Sequence, residues 1–237
     1  MEENNLFLFF LHHIESDFSA VAVLKESEGT RITHLRHKTS KMHFVLRECS
    51  GHPEVYQKLL TVSCPNLPQI YEIAEADGRL LVLEEYIQGD SLHSILECGT
   101  LSTKQTRKIA LQVCEALWTL HSLGAVHRDV KPDNIILRGD EAVLIDFDAS
   151  RLKKPEKHAD TLILGTTGYA APEQYGLSQT DGRADIYALG IVMNVMLTGQ
   201  HPSTLLAGGH MGRVIRRCTM MNPDQRFRDV RHLMESI

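Results

Sequence analysis

The apolar positions of this chain change period once along its length, and the change divides the sequence in two. Short apolar or alternating runs recur at Ala20 to Leu24, Ile32 to Leu35, His43 to Glu48, Ile70 to Glu75 and Leu80 to Glu84, which predicts five strands. The last two flank Asp77-Gly78, a pair suited to the left-handed torsions of a tight hairpin turn. One short helix, Glu54 to Leu60, interrupts the strands, and Pro65 and Pro68 prevent it from continuing. From Gly89 onward the spacing lengthens. Ile109, Ala110, Val113, Ala116, Leu117 and Leu120 recur at steps of three and four, as on the core-facing stripe of a helix. Ser102 and Gln105 form a capping box at its start and Gly124 closes it. A second long helix, about Asp185 to Leu197, is nearly all apolar and is expected to be buried, with Gly199 as its stop.

Strands followed by helices predict an α+β architecture in two lobes. The smaller lobe spans 19–88, an antiparallel sheet with one short helix. The larger, mainly helical lobe spans 89–237, and 1–18 form an N-terminal extension. The apolar run Leu6 to Leu11 is six residues long, against the roughly 20 that a membrane-spanning helix needs. Glu2 and Glu3 stand where a signal peptide carries basic residues, so this run is expected to pack on the first lobe as a strand or helix. With 237 residues, 43% of them hydrophobic, the chain suffices for a sizeable core. The formal charge of −5 argues against a polyanion binder, so nucleic acid is not an expected partner. Five widely spaced cysteines without a CxxC pair suggest neither a disulfide framework nor a zinc site, and fit a reducing cytoplasm. Thirteen histidines show no HExxH or comparable ligand spacing.

The densest chemistry is His127-Arg128-Asp129-Val130-Lys131-Pro132-Asp133-Asn134, followed twelve residues after its Asn by Asp146-Phe147-Asp148. Asp129 supplies a carboxylate able to accept a hydroxyl proton, and Lys131 an ammonium able to sit against a phosphate. Asn134 and Asp146 supply the hard oxygens that magnesium takes. This stretch resembles the catalytic loop H-R-D-x-x-x-x-N and metal-binding turn D-F-G of the eukaryotic-type protein kinases, and more closely their compact bacterial serine/threonine members. The resemblance implies a bilobal kinase-like fold, ATP and Mg2+ as nucleotide and metal, and a protein acceptor. It gives Asp129, Lys131 and Asn134 catalytic roles, with the metal held by Asn134 and Asp146.

The same resemblance extends to Gly165-Thr166-Thr167-Gly168-Tyr169-Ala170-Ala171-Pro172-Glu173, which is similar to the family's peptide-substrate platform. Lys131, two residues after Asp129, resembles the serine/threonine class. Small-molecule kinases of similar fold commonly have glycine in place of Arg128 and lack the platform. His127 is implied to pack beneath the loop, Glu173 to pair with Arg226, and Asp185 to accept hydrogen bonds from the catalytic-loop backbone. Thr161 is a candidate phosphorylation site facing Arg128, and Thr166 is expected to bond Asp129 and Lys131.

The nucleotide-binding half departs from the family. Leu24, Val45 and Ile136 are implied to line the base, with backbone groups of Glu85 and Ile87 at the hinge. The strand lysine position is occupied by Arg47, with Glu54 as its implied helix glutamate only seven residues on. Lys25, in a rival alignment, and Lys41 are further candidates for the phosphates. Between Leu24 and Ile32 stands a single glycine, Gly29, where the family has a glycine-rich loop. Asp148 replaces the glycine of the metal-binding turn, and acidic Glu84 stands where an apolar or hydroxyl residue often closes the back of the adenine pocket. The expected activity is transfer of the ATP γ-phosphate to serine or threonine hydroxyls of a protein. The alternative is a pseudokinase, a nucleotide-binding or scaffolding module.

Overall fold

The computed structural model describes residues 2–27, 29–50, 53–152, 166–175 and 180–237. They fall into two compact units, the first comprising Met1–Cys64 with Pro68–Ile87, the second Pro65–Leu67 with Gln88–Ile237. The first is a five-stranded antiparallel sheet with two helices, and the second is mainly helical, so the architecture is the α+β one that the sequence pattern predicts.

In the first unit, helix α1 (Glu2–Asp17) leads into strands β1 (Phe18–Ser27), β2 (Thr30–His37) and β3 (His43–Ser50). Helix α2 (Glu54–Leu59) and the hairpin of β4 (Ile70–Ala76) and β5 (Arg79–Glu85) follow. The sheet order is β1-β2-β3-β5-β4. All five strands lie where the alternation predicts them, one to three residues longer at most ends, because backbone pairing continues past the last apolar position. The run Leu6 to Leu11 is helical, which adds a second helix to a lobe expected to have one. Its Phe7, Phe10 and Ile14, spaced by three and four, are buried with Phe18, Leu35, Leu46, Leu81 and Leu83 from one face of the sheet. The β1–β2 hairpin closes at Ser27 opposite Thr30, with Gly29 at φ +76°, where a residue with a side chain would be strained.

The second unit begins with β6 (Asp90–Ser91) and α3 (Leu92–Glu97), then the long α4 (Thr103–Ser122). Short strands β7 (Ala125–Val126), β8 (Ile135–Arg138), β9 (Glu141–Leu144) and β10 (Arg151–Leu152) carry the loops of interest. Helices α5 (Gly182–Thr198), α6 (Gly209–Cys218) and α7 (Val230–Met234) complete it. The capping box forms, with Ser102 Oγ accepting from the Gln105 N–H. Helix α5 starts three residues earlier than its apolar run, because Asp181 accepts the Arg183 N–H and caps it there. Gly89 brings the chain against β8: a Cβ there would lie 2.1 Å from the Leu137 carbonyl oxygen, so a side chain would part β6 from β8. Asn66 ties its segment to β9 through its Nδ2 on the Ala142 carbonyl and its own carbonyl on the Leu144 N–H, at 2.8 and 2.9 Å. No helix among the described residues is long and apolar enough to cross a membrane.

The packing of α1 has a direct test. Phe10→Ala, at a fully buried position, is expected to lower unfolding free energy by about 3–5 kcal/mol in urea denaturation. Phe9→Ala, on the exposed side of the same helix, is expected to change it by less than about 0.5 kcal/mol.

Candidate catalytic site

Asp185, in the first turn of α5 and fully buried, organises the segment that follows β7. Its Oδ2 accepts from the His127 N–H at 2.9 Å and its Oδ1 from the Arg128 N–H at 2.7 Å. His121, near the end of α4, donates from Nε2 to Oδ2 at 2.8 Å. Burial alone would raise the Asp185 pKa, but the His121 hydrogen bond, the neighbouring imidazoles and the Arg128 N–H outweigh it and hold the carboxyl below its ordinary value. Arg128 adopts φ +69°, an uncommon torsion for a large side chain, and the Gln174 Nε2 fixes its carbonyl at 2.8 Å. His127 is fully buried; its Nδ1 accepts from the Asp129 N–H at 3.3 Å and its Nε2 donates to the Ile145 carbonyl at 3.2 Å. Both ring nitrogens are thereby used in shaping the loop.

The Asp129 carboxylate is held on both oxygens. Its Oδ1 accepts from Thr166 Oγ1 at 2.7 Å, and its Oδ2 accepts from Lys131 Nζ at 2.9 Å and Asn134 Nδ2 at 3.0 Å. Lys131 also donates to Thr166 Oγ1 at 2.8 Å, so Asp129, Lys131 and Thr166 form a closed triangle of hydrogen bonds. Burial pushes the Asp129 pKa up, but the hydrogen bonds from Lys131 and Thr166 and the adjacent ammonium leave it below the usual carboxylate value. Such a group is a well-oriented hydrogen-bond acceptor and a weak base.

Asn134 ends a 3-10 turn, Pro132–Asn134, and gives its amide nitrogen to the Asp129 carbonyl at 2.9 Å as well as to the carboxylate. A planar amide with its nitrogen on Asp129 turns its oxygen the other way. The Ile145 N–H donates to the Asn134 carbonyl at 2.9 Å, which brings Asp146 beside that turn. Asp146 has φ +70° and its Oδ1 accepts from the Asp148 N–H at 3.4 Å. One amide oxygen and one carboxylate on adjoining segments are donors of the type magnesium takes, so Asn134 and Asp146 fit the metal. Asp148 itself is exposed and has no positive φ, so this conformation makes no demand for glycine there. Phe147 is buried with its ring edge-on to His127 at 5.6 Å.

Beyond residues 153–165, Thr166 leads into the turn Pro172–Tyr175. Glu173 is buried and meets Arg226 in a two-pronged pair, at 2.6 and 2.9 Å. Arg226 also donates to the carbonyls of Arg183, Met220 and Met221, and its guanidinium lies 4.8 Å from the centre of the Tyr187 ring. Thr161, the candidate phosphorylation site, lies outside the described residues.

In the first unit, Arg47 does not meet its expected helix partner. Glu54 is exposed at the start of α2, whose buried side is formed by Val55, Tyr56 and Leu59. Arg47 pairs instead with Glu84 on the neighbouring strand, Nη2 to Oε1 at 3.2 Å, both side chains almost wholly buried. The cause is register: Val45 stands opposite Glu84 and Arg47 opposite Val82, so Arg47 and Glu84 are diagonal neighbours on one face. Val45 is buried on that face, while Leu24 is half-exposed on edge strand β1. The Glu85 N–H donates to the Gln69 carbonyl at 2.8 Å, and Ile87 is buried at the end of the unit. Ile136 is half-buried on β8 of the second unit. Sequence reasoning missed His121, Gln174 and the use of Glu84. Only Glu84 left a signal, an acidic residue inside an apolar strand, and the β3–β5 register was needed to interpret it.

A family model described as protein kinase domain matches residues 20–234. Among characterised relatives, the serine/threonine-protein kinase PknA of Nostoc sp. is 28% identical over 230 residues, covering 81% of this chain and 41% of that protein. The serine/threonine-protein kinase PknE of Mycobacterium tuberculosis is 36% identical over 166 residues, 67% of this chain and 29% of that protein. The serine/threonine-protein kinase pkn2 of Myxococcus xanthus is 29% identical over 173 residues, 68% of this chain and 21% of that protein. The chain thus spans less than half the length of each of these relatives.

Two outcomes follow from the buried charges. Arg226→Ala leaves the Glu173 carboxylate buried without its guanidinium and is expected to cost about 3–5 kcal/mol of unfolding free energy, measured in urea. Asp185 has a folded pKa below its ordinary 3.8, so the stability it contributes is present above pH 3.8 and lost as pH falls through the folded value. Asp185→Asn should therefore be less stable than the parent at pH 7, by about 3 kcal/mol or more, with the difference narrowing as pH drops below 3.8.

Proposed function

This chain belongs to the protein kinase domain family, and on that premise we propose that it transfers the γ-phosphate of ATP to serine or threonine hydroxyls of a protein. The observation that carries the reading is the assembled triangle of Asp129, Lys131 and Thr166, with Asn134 bound to the same carboxylate. In the proposed reaction the substrate hydroxyl oxygen bonds to the γ-phosphorus as the bond to the leaving ADP oxygen breaks. Asp129 orients that hydroxyl and accepts its proton, which passes on to solvent. A depressed carboxyl pKa suits this role, because a loose phosphoryl-transfer transition state asks for orientation more than basicity. Lys131 neutralises charge on the transferred group. Asn134 and Asp146 would hold magnesium, which supplies charge neutralisation on the phosphates.

The protein acceptor is supported by Lys131, by Arg128 and by the segment from Thr166 to Glu173, whose Glu173 is anchored in the core by Arg226. Glu85 would contact the base through its carbonyl, since its N–H is committed to Gln69. Five widely spaced cysteines without a CxxC pair support a reducing compartment.

A second reading, a scaffold without phosphotransfer, is favoured by one observation: Arg47 is buried against Glu84. The two readings separate on Asp129→Asn, assayed by mass spectrometry for phosphate incorporated into the chain and into a generic basic protein. The proposal expects at least about a hundredfold loss, while the thermal shift on adding Mg-ATP persists. Equal incorporation by parent and variant would reject the kinase reading.

A further inference from the structure

Arg128 turns at φ +69°, a torsion that a residue with a side chain keeps only where its surroundings over-determine it. Two buried side chains act on its backbone. Asp185 accepts its N–H at 2.7 Å, and Gln174, 1% exposed, donates from Nε2 to its carbonyl at 2.8 Å. The Arg128 carbonyl and the Asp129 N–H belong to one planar peptide unit, so a hold on the first also orients the second. That N–H rests on His127 Nδ1 at 3.3 Å. Gln174 therefore grips the peptide plane from which the Asp129 side chain departs. The other end of the same amide is bound to the segment that carries Thr166. Gln174 Oε1 accepts from the Ala171 N–H at 3.0 Å, and the Gln174 N–H donates to the Ala171 carbonyl at 2.9 Å. At the side-chain contacts Ala171 offers a donor and Arg128 an acceptor, which fixes the orientation of the amide.

We infer that Gln174 is a positioning residue for Asp129, tying the orientation of that carboxylate to the seating of the segment 166–175. The inference rests on the phosphotransfer reading for the reaction, and deepens it by naming what sets Asp129 for the acceptor hydroxyl. The segment meets Asp129 at two points. Thr166 holds the carboxylate itself, Oγ1 to Oδ1 at 2.7 Å, and Gln174 holds the peptide plane that precedes it. Glu173, fixed by Arg226, and Gln174 are consecutive residues of the turn Pro172–Tyr175, so the anchor of the segment and its link to Asp129 move together. Displacing the segment releases both contacts at once. Asp129 then loses its aim at the hydroxyl, while the groups that bind the nucleotide are untouched, so the effect falls on kcat and spares KM for ATP.

The test uses the full chain and two variants, with phosphate incorporation into a generic basic protein referred to folded enzyme. Gln174→Met fills the space without either side-chain hydrogen bond and is expected to lose about a hundredfold in kcat, with KM for ATP changed less than about twofold. Gln174→Glu is switchable. Protonated, its carboxyl copies the amide, donating its O–H to the Arg128 carbonyl and accepting from Ala171; ionised, it sets a negative oxygen against that carbonyl. Its kcat is expected to lie within about threefold of the parent near pH 6 and to fall, relative to the parent, by about tenfold per pH unit once the carboxyl ionises. Gln174→Met that keeps the parent kcat, or loses KM for ATP in its place, overturns the inference. So does a Gln174→Glu loss that is equal at every pH, the mark of damaged packing alone. Hydrogen exchange read by mass spectrometry on the same proteins keeps the two readings apart. Faster exchange at 127–134 in Gln174→Met, with α5 as in the parent, sustains the tie, and in a parent that incorporates no phosphate it does so while rejecting the phosphotransfer reading. Unchanged exchange at 127–134 overturns the inference.

Discussion

The interaction on which the second unit depends is the acceptance of two consecutive backbone N–H groups, of His127 and Arg128, by the buried carboxylate of Asp185. A backbone that turns with Arg128 at φ +69° cannot satisfy those donors through a helix or sheet ladder, and left unpaired in the core each would cost about 1–3 kcal/mol. Asp185 resolves this with one side chain, and His121 on α4 keeps that side chain charged and aimed. Everything downstream inherits the geometry. Asp129 emerges with its N–H on the His127 ring, Lys131 and Asn134 follow at a spacing that returns both to the Asp129 carboxylate, and Ile145 closes the segment on Asn134.

Both units bury ionised pairs, and the two differ in what they do. Glu173–Arg226 is saturated: the guanidinium uses its carboxylate, three backbone carbonyls and an aromatic face, and it pins the 166–175 segment to the core. Such a pair specifies where one loop ends. Arg47–Glu84 lies within a sheet whose hydrogen bonding and apolar core, including α1, already specify it.

How much of this the sequence disclosed follows the distance between partners. The strands, the capping box at Ser102 and the stop at Gly199 are local patterns, and they were legible because each is written within a few neighbouring residues. The group from His127 to Asn134 was legible for the same reason, as was the likeness to protein kinases that it carries. Partners separated by tens of residues were not. That Glu84 meets Arg47 depends on a register in which Val45 faces Glu84, and that His121 meets Asp185 depends on the packing of α4 on α5. The helical state of residues 6 to 11 was undecided between strand and helix, since six apolar residues fit either period. Burial of Phe7, Phe10 and Ile14 on the sheet decided it.

The central claim is that the second unit carries a working phosphoryl-transfer centre, and phosphoamino-acid analysis tests it most directly. The unaltered chain is incubated with γ-labelled ATP and a serine- and threonine-containing protein, with magnesium or with excess chelator. The account predicts labelled phosphoserine or phosphothreonine that appears only with magnesium. A folded chain that leaves no labelled hydroxyl amino acid at millimolar Mg-ATP would contradict it.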